Sequence, residues 1–257
     1  MIATASTIAL SRRSVLAIAR QPSIVVPSLI FPRFFVALGT ASFEQAIGIP
    51  GFPRVDSFLD FALAGAIVQG ILFGSTVSAT ALATDIENGF FDRLLTTPTP
   101  RVGILVGRLA GGMAYGGFQT AVFIALLIPF GLSIKSGPLG LVVMIIGGVL
   151  TALAVGGLLS TVALRTGSSE AVQGSFPLLF VLLFFSSTFF PRETMTGVYR
   201  VIADLNPVSY LAEGFRALTI EPLSAAAVAE TLLIPLALSA GTLLLARRAL
   251  DRRLRSR

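Results

Sequence analysis

The chain has 257 residues, of which 54% are hydrophobic and only 12% are charged. Soluble domains carry about 25% charged residues, so this composition excludes an ordinary soluble fold and indicates an integral membrane protein. The sequence contains no Cys and no His, which excludes disulfides, thiolate or imidazole metal sites, and catalysis that depends on either side chain.

Residues 1–22 are predicted to form an amphipathic helix on the membrane surface. A secretory signal peptide is not indicated, because Pro27, Pro32 and Arg33 interrupt the first long apolar run and the run has no small-residue cleavage site. In a surface helix, apolar side chains enter the lipid while arginines stay among the headgroups. The apolar positions are Ile8, Val15, Leu16 and Ile18, and the basic positions are Arg12, Arg13 and Arg20.

Six apolar segments are long enough to cross a bilayer, which requires about 20 residues. Because a lipid-exposed backbone must satisfy its own hydrogen bonds, each segment is predicted to be a helix. The predicted spans are 24–42, 58–83, 102–130, 138–164, 171–190 and 225–246. The expected fold is therefore an all-α integral membrane protein with six transmembrane helices in a single domain, 1–257.

The arginines predict the orientation of these spans. The side that holds the N-terminal helix, loop 84–101 with the adjacent Arg108, the turn 165–170 and the basic tail 247–257 carries thirteen arginines, whereas the opposite side carries five basic residues. By the positive-inside rule, both termini are expected in the cytoplasm. The net charge of +6 is accounted for by these flanking arginines, so nucleic-acid binding is not predicted.

Arg33 lies near the middle of the first predicted span. A charge there costs about 2.5–3.5 kcal/mol on insertion scales, so it needs a partner or a wet cavity. Asp60 and Gln69 in the next span are the candidate partners. The residue types allow either a structural pair or a contact with a transported molecule.

Loop 84–101 is predicted to contain a short helix. Phe90 and Leu94, like Phe91 and Leu95, are four residues apart and share one apolar face, with Asp92 and Arg93 on the other side. Asp85 or Asn88 is expected to cap its start, and Pro98 and Pro100 to end it. A helix of about two turns is not stable alone in water. Its apolar face is therefore expected to lie on the membrane surface or in the groove of a partner protein.

Small residues recur every four positions in the third span, and further glycines mark the fourth. Such rows let helices approach closely. They indicate packing within the chain, with a dimer contact as the alternative. The rows are Gly103, Gly107 and Gly111, then Gly112 and Gly116, and the further glycines are Gly147, Gly148, Gly156 and Gly157.

The long segment 191–224 is predicted to lie outside the membrane, with one or two short helices that dip into the outer leaflet. The chain carries no P-loop sequence, because its only Lys, Lys135, lacks the two glycines that such a loop requires. Nearly all acids lie in loops or near span ends, which argues against an ion-coupled carrier. The absence of His, Cys and paired buried acids argues against an intramembrane enzyme.

Four stretches, in this order along the chain, each match a different part of one known family's sequence. They are RRSVLAIARQPSIVVPSLIFP, DIENGFFDRLLTTPTPRVGILVGRL, LRTGSSEAVQGSFPLLFVLLFFSSTFFP and ADLNPVSYLAEGFRAL. Together they resemble the ABC-2-type exporter permeases, especially the daunorubicin/doxorubicin-resistance branch. The matching loop positions are Glu87, Gly89, Asp92, Arg93, Leu94, Thr97, Pro98 and Arg101. The matching positions of the outer-loop signature are Asn206, Pro207, Tyr210 and Arg216.

The resemblance implies a transport subunit without an ATPase site, located in the bacterial plasma membrane. Two separate ABC ATPase subunits would bind ATP and Mg²⁺, and a second permease chain, identical or homologous, would complete the complex within the membrane lipids. The N-terminal helix would be a connecting helix, and the helix of loop 84–101 a cytoplasmic coupling helix. The implied ATPase contacts are Asp85, Glu87, Gly89, Phe90, Phe91, Asp92, Arg93, Leu94, Leu95, Pro98 and Arg101.

The resemblance also implies that the first, second and fifth spans line the transport path. The candidate lining residues are Arg33, Gln69, Ser75, Thr76, Phe180 and Phe184. A phenylalanine-rich wall with few charges suits lipophilic drugs or lipids, although these side chains would equally suit lipid or core contacts. A lipid-linked glycan is the alternative cargo. No cofactor is expected in this chain.

Overall fold

The structure is a computed structural model, and it describes residues 2–20, 22–96 and 101–255. Throughout these residues the chain forms helices, turns and loops, without a strand. The helices are α1 (Ile2–Ala19), α2 (Pro22–Phe43), α3 (Phe58–Glu87), α4 (Phe90–Leu95), α5 (Arg101–Leu127), α6 (Gly137–Thr166), α7 (Ser169–Gly174), α8 (Phe176–Phe184), α9 (Gly197–Leu205), α10 (Pro207–Ile220) and α11 (Ala225–Arg255).

Helix α3 is the centre of the bundle. The Ser57 side chain accepts a hydrogen bond from the Leu59 amide at 3.1 Å and caps the start of the helix. From there α3 packs against α2, α5, α6 and α10, and it is the most deeply buried of the long helices. Helix α11 covers α6, and α1 covers α5. The side chains of α3 therefore meet neighbours from several sides rather than lipid.

Glycines allow the closest helix contacts in the bundle. A Cβ added at Gly111 would lie 2.7 Å from the carbonyl oxygen of Ser14, so α1 could not approach α5 at any larger residue. A Cβ added at Gly116 would lie 2.8 Å from the carbonyl oxygen of Gly148 in α6. These predicted small-residue positions thus serve packing within the chain.

Four helices are long and apolar enough to span a membrane, namely α3, α5, α6 and α11. They correspond to the second, third, fourth and sixth predicted spans. The first and fifth predicted spans contain shorter apolar helical stretches, Leu29–Ser42 and Ser169–Phe184. The membrane character of the fold is thereby supported, while the six-span layout stays a prediction.

The fifth predicted span is interrupted and shorter than 171–190. Helix α7 ends at Gly174 and α8 begins at Phe176, because Pro177 has no N–H to continue the helical hydrogen bonds. Helix α8 then ends at Phe184. Beyond it, the Ser186 hydroxyl donates to the Leu183 carbonyl at 2.6 Å, so side-chain hydrogen bonds replace the helical pattern.

The predicted loops also contain more helix than the sequence indicated. Loop 84–101 holds the last turn of α3 and the whole of α4, and the basic tail continues α11 as far as Arg255. Segment 191–224 forms the short helices α9 and α10, as predicted. However, α10 is an inner element rather than a surface one, because Phe215, Arg216 and Leu218 are buried.

The charged groups separate to the two ends of the bundle. At one end, Glu87 contacts Ser169, and Arg253 donates to the Leu164 carbonyl at 3.3 Å. At the other end, Lys135 pairs with Asp56 at 3.1 Å, while the Lys135 amide donates to the Thr219 carbonyl at 2.9 Å. The two sets predicted to face opposite sides of the membrane therefore lie at opposite ends. We call these the Glu87 end and the Lys135 end.

Candidate functional site

A direct contact joins the last residue of α3 to the first residue of α7. The Glu87 carboxylate accepts hydrogen bonds from the Ser169 amide at 2.6 Å and from the Ser169 hydroxyl at 3.1 Å. Next to it, Ser168 caps α7 by accepting from the Ala171 amide at 3.2 Å. Two connections that are distant in sequence are thus fixed to each other on an exposed surface.

Helix α4 begins directly after Gly89, whose φ of +68° favours glycine. Asn88 ends α3 rather than capping α4, and Asp85 lies inside the last turn of α3. The prediction that Asp85 or Asn88 caps α4 is therefore wrong, because α3 continues four residues beyond the predicted span, from 83 to Glu87. The bend at Gly89 turns the chain back toward the bundle.

The chain itself covers much of the apolar face of α4. Phe91 is only 2% exposed and belongs to the hydrophobic core, and Leu94 and Leu95 pack against that core. The expectation that this face lies on the membrane or in a partner groove is wrong for Phe91, because α4 folds back onto its own bundle. The half-buried Phe90 and Asp92 and the exposed Glu87 and Arg93 remain at the surface.

Two further predicted contact residues lie outside this description. Pro98 falls outside the described residues, and so does the side chain of Arg101. Of the remaining predicted contact residues, Phe91 is buried, and the others are wholly or partly accessible, namely Asp85, Glu87, Gly89, Phe90, Asp92, Arg93, Leu94 and Leu95. The segment 85–95 thus presents a mixed polar and aromatic surface at the Glu87 end.

Asp85 connects three helices. Its carboxylate pairs with Arg108 of α5 and lies 3.8 Å from Arg13 of α1. The Arg13 guanidinium also lies over the Phe90 ring, 4.1 Å from its centroid. Helices α1, α3, α4 and α5 therefore meet in one charged and aromatic cluster.

A cavity of about 710 Å³ opens beside this cluster. We call it the inner cavity. Its walls carry hydroxyl, amide and charged groups together with aromatic rings. The lining residues that matter here are Arg13, Thr76, Thr80, Asp85, Gln173 and Phe176. Of the predicted path-lining residues, Thr76 lies here.

A continuous row of phenylalanines leaves the inner cavity along α8. The ring centroids are 4.7 Å apart between Phe73 and Phe176, 5.6 Å between Phe176 and Phe180, 5.1 Å between Phe180 and Phe184, and 4.9 Å between Phe184 and Phe189. Because 176, 180 and 184 are spaced by four, they share one face of the helix. We call these five residues the phenylalanine ladder.

The ladder leads to a second cavity of about 270 Å³ between α2, α3 and the residues that follow α8. We call it the outer pocket. Its walls are almost entirely apolar, with Val36, Phe61, Ala66 and Phe184 among them. Gln69 lines it and is 1% exposed. The structure thus brings Gln69, Thr76, Phe180 and Phe184 together along one connected surface.

Arg33 and Ser75 are placed differently. The Arg33 guanidinium lies 5.8 Å from the Phe123 ring centroid, and its Nε has no hydrogen-bond partner among the described residues. Asp60, one predicted partner, instead accepts from the Ser133 amide at 2.8 Å. The Ser75 hydroxyl points to the Ala152 carbonyl of α6 at 3.5 Å. Neither residue lines the inner cavity or the outer pocket.

The outer-loop signature stabilises the interrupted end of α8. Asn206 accepts from the Val208 amide at 2.9 Å and so caps α10, while Pro207 occupies the first turn. The Asn206 amide donates to the carbonyls of Leu182 and Phe185 at 2.6 and 3.0 Å. One side chain therefore satisfies a helix start and a helix end together.

Arg216 likewise donates hydrogen bonds to backbone carbonyls, in this case those of residues that follow α8. Its Nη2 donates to the carbonyls of Ser187 and Thr188 at 2.8 and 3.2 Å, and its guanidinium lies 3.9 Å from the Phe61 ring centroid. Burial lowers the pKa of Arg216 to about 9, so the side chain stays protonated at neutral pH. The fourth signature residue, Tyr210, donates to the Asp204 carbonyl at 2.6 Å.

Sequence reasoning missed several residues that shape this region. Arg192 donates to Glu213 through Nε at 2.6 Å and through Nη2, and it lies over the Tyr210 ring at 4.6 Å. Tyr199 donates to the Phe184 carbonyl and lines the outer pocket. The many hydroxyl and charged residues of 186–213 were a visible signal, but their pairing depends on how the chain folds back.

Comparison with known proteins identifies the family. The family model described as "ABC-2 type transporter" matches residues 5–220. The daunorubicin resistance ABC transporter permease protein DrrB1 of Streptomyces coeruleorubidus is 30% identical over 209 residues, covering 80% of this chain and 72% of its own length. The inner membrane transport permease YadH of Escherichia coli is 23% identical over 199 residues, covering 76% and 74%.

A third relative carries a similar name. The "Probable doxorubicin resistance ABC transporter permease protein DrrC" of Mycobacterium tuberculosis is 24% identical over 199 residues, covering 77% of this chain and 71% of its own. The family match includes α4, the phenylalanine ladder and the outer-loop signature. This chain is therefore a member of the ABC-2 type transporter family, and it is a membrane transport component that does not itself hydrolyse ATP.

Proposed function

We propose that this chain is the permease subunit of an ATP-driven exporter that moves lipophilic drugs or lipids out of the cytoplasm or the inner leaflet. Two separate ABC ATPase subunits bind ATP and Mg²⁺ and supply the energy. A second permease chain completes the path through a bacterial plasma membrane. In this arrangement the chain crosses the membrane six times and both termini lie in the cytoplasm.

The phenylalanine ladder carries this proposal. It runs from Phe73 and Phe176 in the inner cavity to Phe184 in the outer pocket, with no gap between ring centroids above 5.6 Å. A molecule moving along such a wall exchanges one apolar contact for the next and gives up little hydrophobic stabilisation. A glycan would meet few hydrogen-bonding groups there, which disfavours the alternative cargo.

The charged cluster at the Glu87 end supports the coupling step. ATP binding closes the two ATPases, and their movement presses on the surface formed by Glu87, Phe90 and Arg93. The contact of Arg13 with Phe90 transmits this movement to α1. The pair between Asp85 and Arg108 transmits it to α5. The inner cavity lies between these contacts and changes shape when they move.

The names of two relatives agree with a lipophilic cargo, since they refer to daunorubicin and doxorubicin resistance. An apolar ring system passes most readily along a path lined by apolar side chains. The outer pocket has such a lining, because none of the described residues that line it is charged.

Uptake into inverted membrane vesicles tests the proposal. The vesicles contain this chain together with a cognate ABC ATPase, and doxorubicin is the probe. We expect uptake that requires ATP and continues when an uncoupler dissipates the proton gradient. Uptake that the uncoupler abolishes, or that proceeds without ATP, would show an ion-coupled carrier and contradict the proposal.

A further inference from the structure

The outer pocket contains one polar group that the fold leaves unsatisfied. Three of its lining residues have hydrogen-bonding side chains, namely Gln69, Thr188 and Tyr199. The Thr188 hydroxyl is paired with the Ser186 hydroxyl at 2.5 Å, and the Tyr199 hydroxyl donates to the Phe184 carbonyl. Both hydroxyls therefore have hydrogen-bond partners within the chain.

Gln69 differs from both. Its side chain is 1% exposed, and its Nε2 has no hydrogen-bond partner among the described residues. Arg33, for which Gln69 was a predicted partner, lies over the Phe123 ring instead, and Asp60, the other predicted partner, accepts from the Ser133 amide. Gln69 thus lies in the wall of an apolar pocket, and its Nε2 has no acceptor among the described residues.

Such an arrangement is unusual in a folded protein. More than about 90% of buried polar groups have a partner, because an unpaired amide loses its hydrogen bonds to water and gains nothing in return. The lost free energy is recovered if a bound molecule supplies an acceptor oxygen. An apolar pocket with a single oriented polar group is also the usual form of a small-molecule site.

We propose that the outer pocket binds an uncharged lipophilic molecule through a carbonyl oxygen, which accepts a hydrogen bond from Gln69 Nε2. Ketones and esters are the class of ligand that meets this description. The proposal refines the cargo of the proposed exporter, and it rests on that function only for the step in which the bound molecule is moved.

The walls of the pocket define the rest of the ligand. Because none of the described lining residues is charged, an ionised group would enter without a counter-ion, which costs far more than burial of an uncharged carbonyl. Phe184 lies both in the pocket and in the phenylalanine ladder, so an alkyl or aromatic body continues from the carbonyl toward Phe180. The carbonyl fixes the position of the ligand while the ladder holds its apolar part.

Equilibrium binding to the purified full chain in nanodiscs tests this assignment. The probes are tritiated 2-heptadecanone and tritiated 2-methylheptadec-1-ene, in which a methylene group replaces the carbonyl oxygen. Binding is measured above that of empty nanodiscs. We expect the ketone to bind about tenfold more tightly than the alkene, as a single buried hydrogen bond allows.

Variants then assign the preference to Gln69. In Gln69→Leu we expect ketone affinity to fall to that of the alkene, with alkene binding unchanged, which also shows that the pocket is intact. Gln69→Met, which has an unbranched side chain, is the second variant and should lose the preference in the same way. Gln45→Leu, at an exposed position that lines neither the inner cavity nor the outer pocket, is the matched control and should keep the preference.

Two results would overturn the assignment. One is equal binding of both probes to the unmodified chain, and the other is a preference for the ketone that persists in Gln69→Leu or Gln69→Met. The binding measurement needs no ATPase, so its outcome is separate from that of the vesicle assay. Loss of ATP-driven uptake with an intact ketone preference would contradict only the proposed function.

Discussion

The guanidinium of Arg13 in α1 lies 4.1 Å from the ring centroid of Phe90 in α4. The same arginine lies 3.8 Å from Asp85, which pairs with Arg108. An exposed residue of the N-terminal helix is thereby connected to the segment proposed to meet the ATPase and to the wall of the inner cavity. The sequence placed these residues in separate elements, and the fold brings them together.

Removal of the Arg13 guanidinium should weaken coupling more than assembly. In Arg13→Gln, both the contact with Phe90 and the pair with Asp85 are lost, and a cation–π contact at such a site is worth about 0.5–1 kcal/mol. We expect a severalfold fall in doxorubicin transported per ATP hydrolysed, with the ATPase still bound. Arg12→Gln, an exposed neighbour on α1, is the control and should behave as the unmodified chain. An equal effect of both variants would refute the specific role of Arg13.

Loss of Arg216 should destabilise the whole fold. Arg216→Met leaves the carbonyls of Ser187 and Thr188 without their donor, and hydrogen bonds to a charged group are worth about 1.5–3 kcal/mol each. We expect a lower unfolding temperature for the detergent-solubilised chain.

Arg200→Met is the comparison for this prediction, because Arg200 forms an exposed pair with Asp204 at 3.8 Å and no other ion pair or hydrogen bond of its side chain is found among the described residues. Exposed pairs contribute about 0–1 kcal/mol, so its unfolding temperature should change little. Similar shifts in the two variants would contradict the structural role assigned to Arg216.

Two glycine-to-alanine substitutions should change stability in opposite directions. The new Cβ of Gly111→Ala meets the Ser14 carbonyl oxygen at 2.7 Å and separates α1 from α5. In α11, a Cβ at Gly241 has no neighbouring atom within 4 Å, and alanine favours a helix by about 1 kcal/mol over glycine. We expect the unfolding temperature to fall for Gly111→Ala and to rise for Gly241→Ala. A rise for both would show that α1 is not held against Gly111.

The phenylalanine ladder predicts that transport depends on which face of α8 is changed. Phe180→Ala opens the row between Phe176 and Phe184, and aromatic pairs contribute about 0.5–1.5 kcal/mol each. We expect doxorubicin uptake to fall about tenfold. Leu178→Ala on the exposed face of the same helix should leave uptake within about twofold of the unmodified chain. Equal losses would contradict the assignment of the ladder to the path.

The sequence predicted the apolar helices and the small-residue packing because these follow from composition and spacing. It also predicted a short helix at Phe90–Leu95, since the four-residue spacing of its apolar positions is local. It did not predict that Phe91 would be buried by the chain itself. That outcome depends on the direction in which Gly89 turns the backbone, which local spacing does not determine.

The same distinction applies to the outer-loop signature. Asn206 and Pro207 were predicted as signature positions without a structural role, because the carbonyls that Asn206 and Arg216 satisfy lie more than 20 residues earlier in the chain. The fifth span was predicted to be continuous over 171–190. Pro177 and the hydroxyl residues after Phe185 are the sequence signals that could have indicated its interruption. The interruption is stable because Asn206 and Arg216, at the start of α10 and within it, donate hydrogen bonds to the carbonyls that the helix leaves free.

Co-purification with a co-expressed cognate ABC ATPase tests the central claim most directly. The tagged permease is isolated from membranes, and the ratio of ATPase to permease is measured for the unmodified chain and for Arg93→Glu, which reverses an exposed charge on the proposed contact surface. We predict a stable complex for the unmodified chain and a ratio about fivefold lower for the variant, because charge reversal at an interface opposes association. Isolation of the unmodified chain without any ATPase, or an unchanged ratio in Arg93→Glu, would contradict the account.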